Sequence, residues 1–169
     1  MGLLQVNKET VTSNTSSVSL TGITDNEVYQ IHCTGVTPGT DNVYFKLRVL
    51  ESGTPNTTSN YDKAHFFIRA NSTFTDLHNE NQDSFTVTNH THGTAGSETG
   101  NFIFNIYNAF DSNSNTLISV NGANRDSGGN LYTSTGMVIF TSDSSVNGVQ
   151  FFYHSGDINQ AEFTLYKVV

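Results

Sequence analysis

His90 and His92 stand two residues apart in "NHTHGTAGSETG". On a strand, residues two apart project from one face, and two imidazoles so placed could hold zinc if a third ligand joined them. No obvious third ligand accompanies the pair, and a polar, glycine-rich loop favours solvated histidines. No metal and no other cofactor is expected. "DSNSN" (111–115) opens like a calcium loop, but that motif wants Gly at its sixth position and Glu at its twelfth, here Thr116 and Gly122. A plain Asx turn between two strands is the expectation.

Asp76, Glu80, Asp83 and Glu98 are the acids nearest to a glycosidase-like set, yet their spacing does not raise them above surface carboxylates. The chain has no Gly-x-Ser-x-Gly elbow, phosphate loop or dinucleotide fingerprint, and the expectation is a non-enzyme with no catalytic residues. Asn14, Asn56, Asn71 and Asn89 each begin an Asn-x-Ser/Thr sequon. In a chain this rich in those residues, chance is the simpler explanation. Cys33 is the only cysteine, so an intrachain disulfide is excluded. It alternates with Tyr29 and Ile31, as a small buried apolar residue would.

The elements that would position these residues are strands. Asn, Ser and Thr make up 61 of 169 residues, while twelve Phe and seven Tyr argue against disorder. The aromatic residues sit in alternating runs, with the small polar ones between them. "DNVYFKLRVL" (41–50) is the clearest run: Val43, Phe45, Leu47 and Val49 share one face, Tyr44, Lys46 and Arg48 the other. Likewise "EVYQIHCTGV" (27–36) sets Tyr29, Ile31 and Cys33 against Gln30 and His32. "AHFFIRA" (64–70) pairs Phe66 with Ile68, and "NFIFNIYNAF" (101–110) places Phe102, Phe104, Ile106 and Phe110 together, interrupted by Asn108. "NGVQFFYHSGDINQAEFTLYKVV" (147–169) reads as a closing β-hairpin, with Phe163 and Leu165 facing the core and Glu162, Thr164 and Tyr166 facing water or a neighbour.

These runs predict about eight to ten strands in an antiparallel, jelly-roll-like β-sandwich. Residues 1–15 are expected as an N-terminal arm, and 16–169 as one domain. "STFTDLHNENQ" (72–82) offers at most one helical turn.

The charge excludes some partners. Seven Lys and Arg against fifteen Asp and Glu give a net charge of −8, the opposite of a nucleic-acid footprint. The apolar patch in "MGLLQVNKET" falls short of a signal-peptide core, and no stretch approaches the roughly 20 apolar residues of a membrane helix. The expected place of synthesis is a reducing cytoplasm.

Three stretches carry a resemblance: "VTSNTSSVSLTGIT", "VYQIHCTGVTPGTDNVYFKLRVLESGTPNTTSNYD" and the closing "NGVQFFYHSGDINQAEFTLYKVV". Together they resemble small β-sandwich virion structural proteins of tailed bacteriophages, marine and cyanobacterial phages especially. The ending is similar to an "SG-x-I-x-x-G-x-F-x-LY" pattern, with Ala161 where Gly is usual. The resemblance implies a virion protein of the capsid decoration, cement or head-fibre type, forming a homo-oligomer, with a trimer favoured, and contacting the major capsid or a tail protein. The alternative is a tail-fibre or receptor-binding, carbohydrate-recognition module, its partner a host surface glycan. There Tyr44, Tyr61, Tyr107 and Tyr132 would be exposed stacking platforms, although Trp, the best platform, is absent.

Overall fold

The computed structural model describes residues 2–71 and 74–169. Thirteen strands follow one another: β1 (Leu3–Val11), β2 (Ser17–Thr21), β3 (Tyr29–Pro38), β4 (Phe45–Glu51), β5 (Thr54–Pro55), β6 (Tyr61–Arg69), β7 (Thr75–Gln82), β8 (Phe85–Thr86), β9 (Gly100–Tyr107), β10 (Thr116–Arg125), β11 (Leu131–Phe140), β12 (Gly148–Tyr153) and β13 (Ile158–Val168). They form two antiparallel sheets packed face to face. The larger has eight strands in the order β1-β13-β3-β9-β10-β11-β6-β7; the smaller runs β2-β12-β4-β5, with β8 also paired to β4. No helix occurs among the described residues.

Strict alternation builds this sandwich. Phe45 and Phe151 from the small sheet stack with centroids 5.5 Å apart. Phe163 of the large sheet lies 5.0 Å from Phe151, and Phe102 lies 5.5 Å from Phe45. Aromatic rings at offset-stacked distances bury large area and add about 0.5–1.5 kcal/mol per pair beyond it. Cys33 is buried in the same core.

The chain departs from its sequence reading in several places. β12 and β13 are not a hairpin. β12 lies between β2 and β4, and β13 lies between β1 and β3 in the opposite sheet. Alternation dictates which residues face inward, not which strand lies alongside. Phe151 and Phe163 therefore meet across the core rather than side by side. The turn between them needs Gly156 at φ 73°, where a Cβ would come within 2.2 Å of the Thr40 hydroxyl.

Residues 3–11, expected within an arm, are instead an edge strand: β1 runs along β13 from Leu3↔Val168 to Val11↔Ala161. Its exposed Leu3, Leu4 and Val6 hid it, because a sheet edge is held by backbone hydrogen bonds rather than by a buried apolar face. The suggested helical turn within 72–82 is also replaced. Ser72 and Thr73 lie outside the described residues, while Thr75–Gln82 is β7, zipped to β6. Phe110 leaves the face of Phe102 and Phe104 because Asn108, at φ 56°, ends the strand. Thr164 is buried rather than solvent-facing, covered by its lateral neighbours Lys8 and His32.

Candidate functional site

The outer face of the large sheet collects the side chains that the core does not use. In β9, β10 and β11 the residues opposed to the buried set point outward, so Ile103, Asn105, Ser119, Asn121, Thr133, Thr135 and Met137 form one continuous surface. β6 adds Ala64, Phe66 and Ile68. This is the pair that alternation placed together in "AHFFIRA", and it faces solvent while His65 and Phe67 turn inward.

This surface has two zones. Toward β7 it is apolar: Met137 is 45% exposed, Ile68 48%, Leu131 53% and Phe74 58%. The Phe66 and Phe74 rings lie 5.2 Å apart and wall a groove of about 450 Å³ that Met137 closes. Beside it, Ile68, Leu131 and Thr133 line a second depression of about 230 Å³.

Toward β3 the face is a polar ladder. His32 Nε2 and Gln30 Oε1 are 2.7 Å apart, Gln30 Nε2 donates to Asn105 Oδ1 at 2.8 Å, and Asn105 Nδ2 donates to Ser119 Oγ at 3.3 Å. Because the Gln30 oxygen accepts from it, neutral His32 carries its proton on Nε2. The His32 ring packs 5.0 Å from Tyr166 of β13. A shallow groove of about 440 Å³ follows, bounded by Thr34, Asn101, Ile103 and Asn121. Amides fixed in this way present both donors and acceptors, suited to a partner that is polar without being charged.

The histidines singled out by sequence do not converge. His92 is buried: its Nδ1 meets the Tyr153 hydroxyl at 2.8 Å, and its Nε2 meets Asn124 Nδ2 at 2.9 Å. Burial pushes its pKa down to about 4. His90 instead packs edge-on against Phe67, centroids 4.9 Å apart, with its pKa lowered first by burial and then by Arg69. Both were expected in a solvated loop. The loop is anchored because Val43 and His92 exchange backbone hydrogen bonds. Among the described residues, no three His, Cys, Asp or Glu side chains gather into a metal-ligand set.

The carboxylates also separate. Asp83 pairs with Arg48 at 3.1 Å, and Glu98 is largely buried, accepting from the Ala95 amide. Asp76 and Glu80 are exposed on β7. Asp111 makes the Asx turn, accepting from the Asn113 amide at 2.9 Å. Sequence reading missed Asp126, a buried carboxylate held by Arg69 at 2.7 Å and by the amides of Gly128 and Asn130; "RDSGGN" carried the turn signal.

Of the four tyrosines offered as stacking platforms, Tyr44 and Tyr107 are exposed, but Tyr61 and Tyr132 lie in the interior. The Tyr61 hydroxyl accepts from the Val49 amide and donates to the Asn56 carbonyl, and Tyr132 donates to the His90 carbonyl. A buried tyrosine with a satisfied hydroxyl has the same place in an alternating run as an exposed one, since parity is read from neighbours. Neither a protein-family model nor a curated protein sequence matches the chain.

Proposed function

We propose that this chain is a non-enzymatic structural protein of a bacteriophage virion, a capsid decoration, cement or head-fibre subunit that assembles as a homotrimer through the outer face of its large sheet. The observation that carries the reading is the contiguous apolar zone formed by Phe66, Ile68, Phe74, Leu131 and Met137 on the outer face of the large sheet. Contiguous apolar patches rimmed by polar groups mark interaction sites, and aromatic residues and Met are enriched at interface centres. The amide ladder beside the patch supplies the polar rim. The resemblance of the segments at 11–24, 28–62 and 147–169 to phage virion proteins supplies the setting: synthesis in the host cytoplasm and display on the particle. A closed three-fold arrangement would bury one such face per subunit without leaving an open-ended contact.

Sedimentation of the wild type and of Met137→Glu tests the assembly. The expected result is a trimer that Met137→Glu converts to a folded monomer with an unchanged circular dichroism spectrum, because the Met137 side chain lies outside the core, and with melting lowered only by the lost association. Quantitative mass spectrometry of purified virions tests the location. Copy number on the scale of the capsomers supports a head position, copy number on the scale of the tail rings supports the tail-fibre alternative, and absence from the particle defeats both. A wild type that remains monomeric at high concentration and on the particle defeats the trimer.

A further inference from the structure

The acidic chain places two of its few cations together without an ion pair. Lys8, Arg48, Arg69 and Lys167 each pair with a carboxylate. Among the described residues, Lys46, Lys63 and Arg125 have no ion pair, and two of these three line one surface cleft of about 300 Å³. The sheet geometry produces the meeting. In the large sheet Lys63 of β6 lies beside Asn79 of β7; in the small sheet Lys46 of β4 lies beside Thr86 of β8. Lys46 and Thr86 project from the face of the small sheet opposite the buried Phe45 and Phe85, and Lys63 with Asn79 lines the other side of the same cleft.

None of the nearby acids forms an ion pair with either lysine among the described residues. Lys46 Nζ donates to the Ser84 hydroxyl at 3.2 Å, which in turn donates to Asp83 Oδ1 at 2.7 Å, while Asp83 Oδ2 is held by Arg48. Asp62 accepts from the Asn81 amide. Burial, and then the charge of Lys46, lower the pKa of Lys63, as expected of two ammonium groups sharing a partly dehydrated space. Two like charges sharing such a space repel, and an anion placed between them relieves that repulsion.

The rest of the lining narrows the ligand. The Tyr44 amide donates to His154 Nδ1 at 2.9 Å, so neutral His154 carries its proton on Nε2 and offers a further donor. Asn79 and Asn89 provide amides that both donate and accept, as ring hydroxyls require. Tyr44, partly exposed, adds an apolar face. A bare phosphate or sulfate would use the donors but neither the acceptors nor the ring. The volume is at the lower end of small-molecule sites, about 300–1,000 Å³, suited to one ring rather than a chain.

We propose that the cleft between Lys46 and Lys63 binds one carboxylated or sulfated sugar residue, its oxyanion between the two ammonium groups and its hydroxyls against Asn79, Asn89 and His154. The site lies apart from the apolar zone of the large sheet's outer face and does not rest on the assembly reading.

Titration of the ¹⁵N-labelled full chain at constant ionic strength with sodium glucuronate, glucose 6-sulfate, sodium sulfate and glucose tests this. Saturable amide shifts centred on Lys46, Lys63, Thr86 and His154 are expected with either acidic sugar, with none from glucose and weaker binding of bare sulfate. Lys46→Gln and Lys63→Gln should each weaken binding about tenfold, the loss of one charge-assisted hydrogen bond. Lys8→Gln, at the far edge of the large sheet, should leave it unchanged. Failure of both acidic sugars to shift the cleft, shifts spread equally to Lys8 and Lys167, or full binding in the folded double Lys→Gln variant would overturn the site. Sulfate binding as tightly as the acidic sugars, or glucose binding as well as glucuronate, would overturn the acidic-sugar assignment.

Discussion

His92 and Tyr153 meet at 2.8 Å in the interior, and the other ring nitrogen of His92 lies 2.9 Å from Asn124 Nδ2. Tyr153 belongs to the small sheet through β12 and Asn124 to the large sheet through β10, so a single imidazole from the 88–99 loop ties the two sheets together. Phe45 stacks on the ring from one side, centroids 6.4 Å apart, and Phe102 lies 6.1 Å away. This enclosure makes protonation costly.

Stability should therefore fall in mild acid. Burial lowers the His92 pKa from an ordinary 6.5 to about 4, so the unfolded chain binds more protons than the folded chain between those values. The stabilisation is complete above about pH 6.5 and is lost as pH falls toward 4, amounting to roughly 3 kcal/mol for a fully enclosed imidazole. His65, lowered to about 4 by burial and then by Lys63, acts in the same direction. Urea unfolding at pH 7 and pH 4.5 measures the loss. In His92→Gln the pH dependence should shrink even though the variant is less stable; an unchanged slope would remove His92 from the account.

Much of this fold was legible because period-two alternation is a strong local signal. Val43 to Val49 and Tyr29 to Cys33 face as their parity requires. What alternation omits is the identity of the neighbour. The same pattern fits a hairpin or two strands in opposite sheets, which is why β12 and β13 were joined. Edge strands were the second loss. β1 and β7 bury little, so their sequences read as arm or turn. The outer-face patch was half visible: "AHFFIRA" has apolar residues on both parities, a sign that both faces of the strand have work. The Lys46–Lys63 cleft was invisible, since it depends on where strands distant in sequence come to lie in space.

Tyr61 and Tyr107 should behave oppositely on losing a hydroxyl. Tyr61→Phe leaves the Val49 amide and the Asn56 carbonyl without that partner, and a buried unpaired polar group costs about 1–3 kcal/mol. Tyr107 lies on the exposed face, and Tyr107→Phe should be within about 0.5 kcal/mol of wild type. Thermal or urea unfolding of the two variants decides it. Equal effects would mean that the Tyr61 hydroxyl contributes no net stability.

Removing residues 2–11 should destabilise the protein and make it associate. β1 covers the outer edge of β13 along eight paired positions, from Leu3↔Val168 to Val11↔Ala161, and Val11 reaches the core. Without β1, the amide and carbonyl groups of β13 become an open edge, which recruits other strands. The Lys8–Glu162 pair, 2.8 Å apart but well exposed, adds little to this loss. Differential scanning fluorimetry and light scattering should show a lower melting temperature and larger particles. A monodisperse truncated protein with unchanged melting would return this segment to the status of an arm.

Phe163 should be among the most costly residues to truncate. β13 is hydrogen-bonded on both sides, to β1 and to β3, so its inward side chains are held with little room to shift. The Phe163 ring packs 5.0 Å from Phe151 and 6.4 Å from Phe45, both of the opposite sheet, and is fully buried. Phe163→Ala removes the ring's burial and leaves a void that a strand pinned at both edges cannot collapse, a loss of about 3–5 kcal/mol. Against a total stability of about 5–15 kcal/mol, that alone could leave the protein largely unfolded at body temperature. Deleting 162–169 should go further, because β1 then loses most of its pairing to its one neighbouring strand and β3 loses most of its pairing on one side. Glu162→Ala is the internal comparison: on the same strand but facing water, it should cost less than about 1 kcal/mol. Chemical unfolding of the two point variants measures the contrast. A Phe163→Ala loss no larger than that of Glu162→Ala would show that β13 can relax around the void, and that the stacked rings from the two sheets do not hold the sandwich closed.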